Sequence, residues 1–270
     1  GFIDLRPDHD LSELDSFSRF LISKITHRGP DDSGGVMDGS VFLGMTRLSI
    51  IDIDGGKQPM SAQKVHLVFN GEIYNYQELK RALVALGVIF HSNSDTEVVL
   101  QAYINWGLGF VSRLQGMFSI ALLDRNLNEL YLIRDRYGKK PLYYSLTEDF
   151  LVFGSESKIF SSGPFRRAIE YNNLSDYMQV RFLPGEKTCF SNVSRVVPGT
   201  ILTFSTKDLA TRVETYYSRP LVSYSKESQS EDRFSRDFAA KFEDSVRKRL
   251  VATDVPVGLF LSGGLDSACI

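Results

Sequence analysis

An α+β fold, with antiparallel sheets and helices packed outside them, is predicted by residues 1–200 of the sequence. Helical patterns alternate there with short apolar runs that have the composition of strands. Several runs are separated only by short polar turns, such as residues 125–128. Such turns join antiparallel neighbours, whereas parallel strands need long crossovers. The strand candidates are residues 41–43, 65–70, 117–124, 129–134, 142–145 and 151–154.

Three helices are predicted in the same region from their start signals and apolar spacing. Asp10-Leu-Ser-Glu13 has the form of a capping box. Ser94-Asp-Thr-Glu97 is a second capping box, and it opens a helix that runs towards Trp106 and stops at Gly107. Between the two, residues 77–86 place leucines on one helical face. Behind the first box the apolar positions are Leu14, Phe17, Leu21 and Ile25.

The pattern changes after residue 205, and three parts are predicted: a first domain at 1–205, a linker at 206–231 and the start of a second domain at 232–270. Residues 223–232 are polar and lack periodicity, as in a linker. Apolar residues then recur every four positions and predict one long amphipathic helix. Val255-Pro-Val-Gly-Leu-Phe-Leu261 predicts a short buried strand. A strand needs neighbours, so we expect the second domain to continue beyond Ile270.

Composition and charge exclude several classes of protein. With 43% hydrophobic residues, 270 residues bury a real core, which excludes global disorder. The 31 basic and 33 acidic residues give a net charge of -2, which argues against nucleic acid as a partner. No apolar run is long enough to span a membrane. The two cysteines, Cys189 and Cys269, make no disulfide framework, so a cytoplasmic location is expected.

Ser262-Gly-Gly-Leu-Asp-Ser267 directly follows the last predicted strand. An apolar strand that leads through small residues into a helix binds phosphate, since Gly263 and Gly264 let backbone N–H groups approach an anion. Asp266 would repel a bare phosphate, so Mg²⁺ is the expected companion. The alternative is a plain glycine turn capped by serine. The hexapeptide resembles the pyrophosphate loop of the N-type ATP pyrophosphatases, which cleave ATP between the α and β phosphates to adenylate a substrate.

Four segments in the first domain combine polar side chains with apolar surroundings. Arg47 lies between apolar residues and needs an anionic partner, either a ligand carboxylate or an internal salt bridge. Asn70-Gly71 is either a hairpin turn or a pair of donors aimed at an oxyanion. Asp95 lies in the first turn of a capped helix, where a carboxylate is favoured in any case. The segments are His27-Arg-Gly-Pro-Asp31, Thr46-Arg-Leu-Ser-Ile-Ile-Asp52, Phe69-Asn-Gly-Glu-Ile-Tyr-Asn75 and Ser94-Asp-Thr-Glu97.

Together these segments resemble the glutaminase domain of the class II glutamine amidotransferases, and specifically the asparagine synthetase family. The resemblance runs in order from Gly1 to Ile270, and residues 134–144 and 153–158 are further blocks typical of that family. It implies an N-terminal-nucleophile αββα four-layer sandwich of the α+β class, with two antiparallel sheets between helical layers. The first elements of an α/β ATP-pyrophosphatase domain would follow.

The resemblance also implies roles for individual residues. Arg47 would hold the α-carboxylate of glutamine, and Asp95 with Glu72 would bind its α-ammonium. Asn70 and Gly71 would form the oxyanion hole for the tetrahedral intermediate. The backbone lining this glutamine pocket would come from Leu48, Ser49, Ile50 and Ile51. The ATP phosphates would lie against Ser262, Gly263, Gly264, Asp266 and Ser267, with Phe260 beside the nucleotide. No side chains are assigned as ligands of a resident metal ion.

The nucleophile of that family is an N-terminal cysteine whose own α-amine acts as the base. Family members usually carry Cys-Gly-Ile-Ala immediately before the Gly-Phe-Ile-Asp segment with which this sequence begins. Neither Cys189 nor Cys269 carries a free α-amine. Two alternatives follow: either a few leading residues precede Gly1 in the natural chain, or the protein has lost glutaminase activity and uses free ammonia.

The implied function is that of a glutamine-hydrolysing asparagine synthetase, a ligase that forms C–N bonds. Glutamine would be cleaved to glutamate and ammonia, aspartate would be adenylated by ATP with Mg²⁺, and ammonia would displace AMP. The sequence leaves open whether the protein forms a homodimer. One alternative is amidation of another carboxylate by a member of the same family, such as a surface-polysaccharide sugar acid or a secondary metabolite. Another is a glutamine-binding remnant that does not hydrolyse glutamine.

Overall fold

The computed structural model describes residues 1–6, 10–53, 55–161, 168–220, 230–251 and 254–270. Twelve strands and six α-helices are formed within these ranges. The strands are β1 (Phe2–Asp4), β2 (Asp32–Asp38), β3 (Val41–Arg47), β4 (Met60–Ala62), β5 (Val65–Ile73), β6 (Gly116–Asp124), β7 (Glu129–Arg134), β8 (Tyr143–Leu146), β9 (Phe150–Gly154), β10 (Ser194–Arg195), β11 (Thr200–Ser205) and β12 (Thr211–Thr215). The helices are α1 (Leu11–Ile25), α2 (Tyr76–Ala85), α3 (Asp95–Trp106), α4 (Tyr171–Val180), α5 (Glu231–Val251) and α6 (Leu265–Cys269).

The strands form two antiparallel six-stranded sheets. The first sheet has the order β10-β8-β9-β1-β3-β2, and the second has the order β12-β11-β7-β6-β5-β4. In the second sheet, β5, β6 and β7 are successive antiparallel neighbours. The short turn at 125–128 joins β6 to β7 as predicted, whereas helices α2 and α3 lie between β5 and β6 in the chain. The α+β assignment and the strand candidates of the first domain are therefore confirmed.

Three apolar cores separate four layers. Leu14 and Leu21 of α1 pack on the outer face of the first sheet, against residues such as Phe2. Ile3 and Leu123 belong to the core between the two sheets. A third core fills the space between the second sheet and helices α2 and α3. Because both faces of each sheet are covered, the inner strands are apolar on both sides, and the predicted αββα sandwich is formed.

The two helices predicted to start at capping boxes are each capped by the expected residue, but Asp10 bonds the N–H of Ser12 and not that of Glu13. Asp10 accepts from the N–H of Ser12 over 3.0 Å. Ser94 Oγ accepts from the N–H of Glu97 over 3.2 Å. The carboxylate of Glu97 accepts from the N–H groups of His91 and Ser92 instead of returning to Ser94.

The boundary between the two predicted domains differs in part from the expectation. Strand β12 pairs with β11 along its whole length, so the part of the predicted linker at Thr211–Thr215 belongs to the second sheet. All five residues of this edge strand are exposed, which is why no apolar alternation marked it. Most of the polar segment 223–232 lies outside the described residues, and α5 starts at Glu231.

Helix α5 forms over the stretch with the four-residue apolar repeat. The rings of Phe234, Phe238 and Phe242 stack along it at centroid distances of 6.4 and 5.9 Å. No helix within the described ranges is long and apolar enough to cross a membrane.

Candidate active site

A cavity of about 340 Å³ lies between the two sheets. Strands β3 and β9 of the first sheet and β5 and β6 of the second contribute to its walls, and the first turn of α3 adds Asp95 and Thr96. Segments far apart in sequence therefore meet at one place. Of the residues predicted for the glutamine pocket, those that line the cavity are Arg47, Leu48, Ile50, Ile51, Asn70, Gly71, Glu72 and Asp95. Ser49 lies outside this lining, and its N–H donates to the carboxylate of Asp31 over 2.8 Å.

Arg47 ends strand β3, and only 7% of the residue is exposed. Its Nη1 donates to the carbonyl oxygen of Ile53 over 2.8 Å, and its Nη2 donates to those of Ile51 and Asp52 over 2.9 and 2.8 Å. These partners are neutral carbonyl groups. The contacts therefore differ from the internal salt bridge that was the alternative to a ligand carboxylate. A buried guanidinium held by neutral partners keeps its positive charge available to an anion in the cavity.

The loop after Arg47 folds back onto the guanidinium. Asp52 has a left-handed backbone, with φ of 45°, and its carboxylate accepts from the N–H groups of Gly55 and Asn93 over 2.9 and 2.7 Å. These bonds hold the loop carbonyls towards Arg47. On the other side, the N–H of Asp31 donates to the Arg47 carbonyl over 3.1 Å, which packs the 27–31 segment against the end of β3.

The Asn70-Gly71 pair lies inside strand β5, so the hairpin interpretation is wrong. Asn70 is opposite Ser119 of β6, and Gly71 is opposite Phe118. At Gly71 the backbone of β6 comes so close that a Cβ atom would lie 2.0 Å from the Met117 carbonyl oxygen. Only glycine fits such an approach, which explains an Asn-Gly dipeptide in the absence of a turn. The pair of hydrogen-bond donors remains as the other interpretation.

The side chain of Asn70 is oriented by the opposite sheet. Its Nδ2 donates to Ser155 Oγ over 3.3 Å, and Ser155 directly follows β9. One N–H of the carboxamide is used in this contact, and the group is held at the cavity wall.

Asp95 begins helix α3 and is 5% exposed. Its Oδ2 accepts from the N–H of Ile73, the last residue of β5, over 3.1 Å. Burial raises the pKa of the Asp95 carboxyl to about 7, and the negative charge of nearby Glu72 contributes to the rise. A cation in the cavity would stabilise the ionised Asp95 carboxylate and so oppose both causes of the raised pKa. This end of the cavity therefore favours a positively charged ligand group.

Several polar residues of the cavity wall were not singled out from the sequence. Ser155 and Lys140 lie inside the two further family blocks, at 153–158 and 134–144, so a signal was present for them. Thr96 lies within the second capping box. Gln58 lies in the segment Gly-Gly-Lys-Gln-Pro, which has the composition of an exposed turn. Nothing in that sequence indicates that the Gln58 side chain is buried.

The 134–144 block is organised by its own polar contacts. Arg134 donates to carbonyl oxygens of Gly138 and Lys140, each over 2.9 Å. Asp135, 1% exposed, accepts from backbone N–H groups through both carboxylate oxygens. The donors to Asp135 are the N–H groups of Phe118, Tyr137, Lys139 and Lys140. These bonds shape the loop that brings Lys140 to the cavity wall.

The strand expected before the C-terminal glycine turn is not formed. Among residues 254–264, all of which are described, none belongs to a strand. Leu259 and Leu261 are more than half exposed, and Phe260 is 97% exposed. The segment is apolar, as in a buried strand, but a strand needs the backbone groups of a neighbouring strand, and none of the described strands pairs with it.

The glycine turn itself is present and leads into α6. Gly263 has φ of 78°, a conformation that favours glycine, and Gly264 is the N-cap of the helix. Ser262 Oγ lies 3.0 Å from Ser267 Oγ, so two hydroxyls meet across the turn. Asp266 lies in the first turn of α6. In the part of the chain that the structure describes, no group of three or more His, Cys, Asp or Glu side chains is placed to hold a metal ion.

Comparison with protein families matches two parts of the chain. A family model described as a glutamine amidotransferase domain matches residues 7–217. A second model, described as asparagine synthase, matches residues 237–270.

Curated relatives align with nearly the whole chain. Asparagine synthetase [glutamine-hydrolyzing] 1 of Bacillus subtilis is 36% identical over 275 residues, which cover 100% of this chain and 43% of that protein. Amidase chry2 of Gibberella zeae is 35% identical over 251 residues, which cover 91% of this chain and 37% of that protein. The chain thus spans less than half the length of these relatives.

A solved structure supports the fold. The glutamine phosphoribosylpyrophosphate amidotransferase of B. subtilis, complexed with ADP and GMP, superposes with a TM-score of 0.56 at 19% identity. The superposition covers 76% of this chain and 47% of that one.

Proposed function

Because the chain belongs to the glutamine amidotransferase domain family, we propose that its cavity hydrolyses glutamine to glutamate and ammonia. One observation carries the proposal. The buried side chains of Arg47 and Asp95 line the same cavity as Asn70 and Gly71 of β5, which offer a side-chain amide and a backbone N–H. Glutamine presents an α-carboxylate, an α-ammonium and a carboxamide, and the cavity holds a complementary group for each.

Arg47 and Asp95 would bind the α-amino-acid end of glutamine. The Arg47 guanidinium would donate to the α-carboxylate through its N–H groups other than those bonded to the loop carbonyls, which hold it in place. Asp95, with Glu72 beside it, would take the α-ammonium, and the cation would lower the raised pKa of the Asp95 carboxyl. Leu48, Ile50 and Ile51 would line the pocket.

Asn70 and Gly71 would stabilise the charge that develops on the carboxamide oxygen. The Nδ2 group of Asn70 and the backbone N–H of Gly71 lie one residue apart on β5, and both residues line the cavity. Removing one oxyanion donor typically costs about 3 kcal/mol of transition-state stabilisation.

The nucleophile would be a cysteine that precedes Gly1. Strand β1 runs antiparallel to β3, with Phe2 opposite Phe42 and Ile3 opposite Val41. Continued in this register, the strand would bring the cysteine of a preceding Cys-Gly-Ile-Ala segment opposite Arg47, at the cavity wall. Its thiolate would attack the carboxamide carbon, its α-amine would pass the proton to the departing ammonia, and water would hydrolyse the thioester to glutamate.

For the whole protein, we propose that the released ammonia converts aspartate to asparagine. The support is the asparagine synthase match at residues 237–270 and the relatives named asparagine synthetase. ATP would activate the aspartate carboxylate, and its phosphates would lie at the 262–267 turn. The turn carries groups that could turn towards a phosphate: the hydroxyls of Ser262 and Ser267, 3.0 Å apart, and the backbone of Gly263, where a Cβ atom would have no atom of the described residues within 4 Å. The exposed carboxylate of Asp266 fits the accompanying Mg²⁺.

The relative named amidase chry2 supports a second candidate function. In this candidate the same glutamine-hydrolysing domain supplies ammonia to a carboxylate other than aspartate. The two candidates share the cavity and differ only in the acceptor.

The experiment uses the full-length protein, with glutamine, ATP, Mg²⁺ and aspartate, and measures glutamate and asparagine. Glutamate release with asparagine formation supports the first candidate. Glutamate release without asparagine, but with turnover of another acid, selects the second. Calorimetry that shows glutamine binding without glutamate release would overturn both. The control is the same protein with its N-terminal cysteine replaced by alanine, in which glutamate release must stop while ammonia-dependent synthesis continues.

A further inference from the structure

Strand β5 has an edge that is only partly covered by β4. The pairing of β4 with β5 ends at Leu67, opposite Met60. Beyond that point the same edge faces the cavity and the start of α3. Since N–H groups alternate sides along a strand, those of Phe69, Gly71 and Ile73 all point away from β6.

Two of these three N–H groups are held by side chains. The N–H of Phe69 donates to Gln58 Oε1 over 2.7 Å, and the N–H of Ile73 donates to Asp95 Oδ2 over 3.1 Å. The N–H of Gly71 lies between them, at the cavity. Gln58 and Asp95 thus bracket the backbone donor that the proposed reaction requires.

Gln58 also reaches the helix that carries Asp95. Its Nε2 donates to Thr96 Oγ1 over 3.1 Å. Gln58, Thr96 and Phe69 are 9%, 3% and 6% exposed. The backbone of Gln58 is wedged against β2 of the other sheet, where a Cβ atom on Gly34 would lie 2.2 Å from the Gln58 carbonyl oxygen. One buried carboxamide therefore ties β5 to α3 from an anchored position.

We propose that Gln58 is a positioning residue of the glutaminase site. It acts through Phe69, whose N–H it holds, to set the place of Asn70 and Gly71 relative to Asp95. The inference rests on the proposed function, because it concerns the geometry of the oxyanion donors. A carboxamide is suited to this task because it accepts from Phe69 N–H and donates to Thr96 Oγ1 at the same time.

The test is Gln58→Met in the full-length protein, which keeps the length of the side chain and removes both hydrogen bonds. We expect kcat for glutamine hydrolysis to fall by about tenfold or more, since small displacements of catalytic groups cost this much. KM for glutamine should change by less than about threefold, because Asp95 keeps its own bond to Ile73. Ammonia-dependent synthesis should be unchanged. The matched control is Gln77→Met, at an exposed position on α2.

A second variant covers the case in which Gln58→Met does not fold. Thr96→Val keeps the shape of the side chain and removes only the acceptor of Gln58 Nε2. We expect a fall in kcat of about threefold, with KM unchanged, and no further loss when it is combined with Gln58→Met.

The outcomes separate the two proposals. A wild-type protein that binds glutamine without hydrolysing it overturns the proposed function and this inference with it. An active wild type whose kcat is unaffected by Gln58→Met and by Thr96→Val overturns the role of Gln58 alone. Equal loss of glutamine-dependent and ammonia-dependent activity would show that Gln58 is merely structural, which also overturns the inference.

Discussion

The guanidinium of Arg47 donates to the carbonyl oxygen of Ile51 over 2.9 Å, and both residues line the same cavity. The residue proposed to bind the substrate carboxylate therefore also shapes the loop that forms the pocket wall. Binding and loop conformation are coupled through one side chain, so changes at Arg47 should act mainly on substrate affinity.

Arg47→Lys should raise KM for glutamine by about 30-fold, corresponding to about 2 kcal/mol, with a smaller change in kcat. A lysine ammonium lacks the planar fork that reaches the Ile51 and Ile53 carbonyls and a carboxylate together. Steady-state glutamate release by the full-length protein measures both constants. Arg19→Lys, on the exposed face of α1, is the matched control. A KM within threefold of the wild type would exclude Arg47 as the carboxylate ligand.

Asn70→Ala should lower kcat for glutamine hydrolysis by about 10²–10³, with KM little affected, because the lost donor acts on charge that develops in the transition state. Ser155→Ala should have a smaller effect, since Ser155 only orients the Asn70 amide. Asn105→Ala, exposed on α3, serves as the control. If Asn70→Ala retains kcat while KM rises, Asn70 binds ground-state glutamine instead.

Glutamine binding should depend on pH through Asp95. Its pKa is raised to about 7 in the free protein, so below this pH the carboxyl is neutral and pairs poorly with the α-ammonium. The Kd for glutamine should therefore be constant above pH 7 and rise about tenfold per pH unit below it.

Calorimetry from pH 5.5 to 8.5, on full-length protein in which the proposed nucleophilic cysteine is replaced by alanine, gives these values without turnover. In Asp95→Asn the binding should be weak and independent of pH over the same range. An equally steep pH dependence in that variant would assign the titration to another group.

The same pKa shift predicts an effect on stability. The ordinary pKa of an aspartate is 3.8, and that of folded Asp95 is about 7, so ionisation of Asp95 costs stability as the pH rises from about 4 to 7. Asp95→Asn should therefore have a higher Tm than the wild type at pH 8, and the difference should disappear at pH 4. Thermal unfolding without ligand tests this, and a lower Tm at pH 8 would contradict it.

Asp135→Asn should lower the free energy of unfolding by about 3 kcal/mol. Both oxygens of the Asp135 carboxylate accept from backbone N–H groups, so an amide nitrogen in place of either one faces donors. Urea unfolding measures the change, and Asp149→Asn, at an exposed turn, is the control. A change below 0.5 kcal/mol would show that the loop rearranges to satisfy the amide.

Local signals predicted the elements of the first domain well. The caps at Asp10 and Ser94 start α1 and α3 as expected, because a cap depends only on residues within one turn. Apolar runs located the inner strands β3, β5, β6, β7, β8 and β9, because burial on both faces leaves a mark in the sequence. The inner strands β1 and β11 are also buried but were not among the candidates. The edge strand β12 left no such mark, since its side chains are exposed.

The sequence by itself determined the family resemblance, the α+β class and eight of the residues that line the cavity. Only the tertiary structure decided whether Asn70-Gly71 forms a hairpin turn or lies inside a strand. Glycine suits both a turn and the close approach of β6, so the dipeptide alone does not distinguish them. Likewise, only the fold placed neutral carbonyls around Arg47 and brought Gln58 between β5 and α3. The physical reason is that these contacts depend on how the backbone turns after β3 and on which distant segments approach each other, and local patterns encode neither.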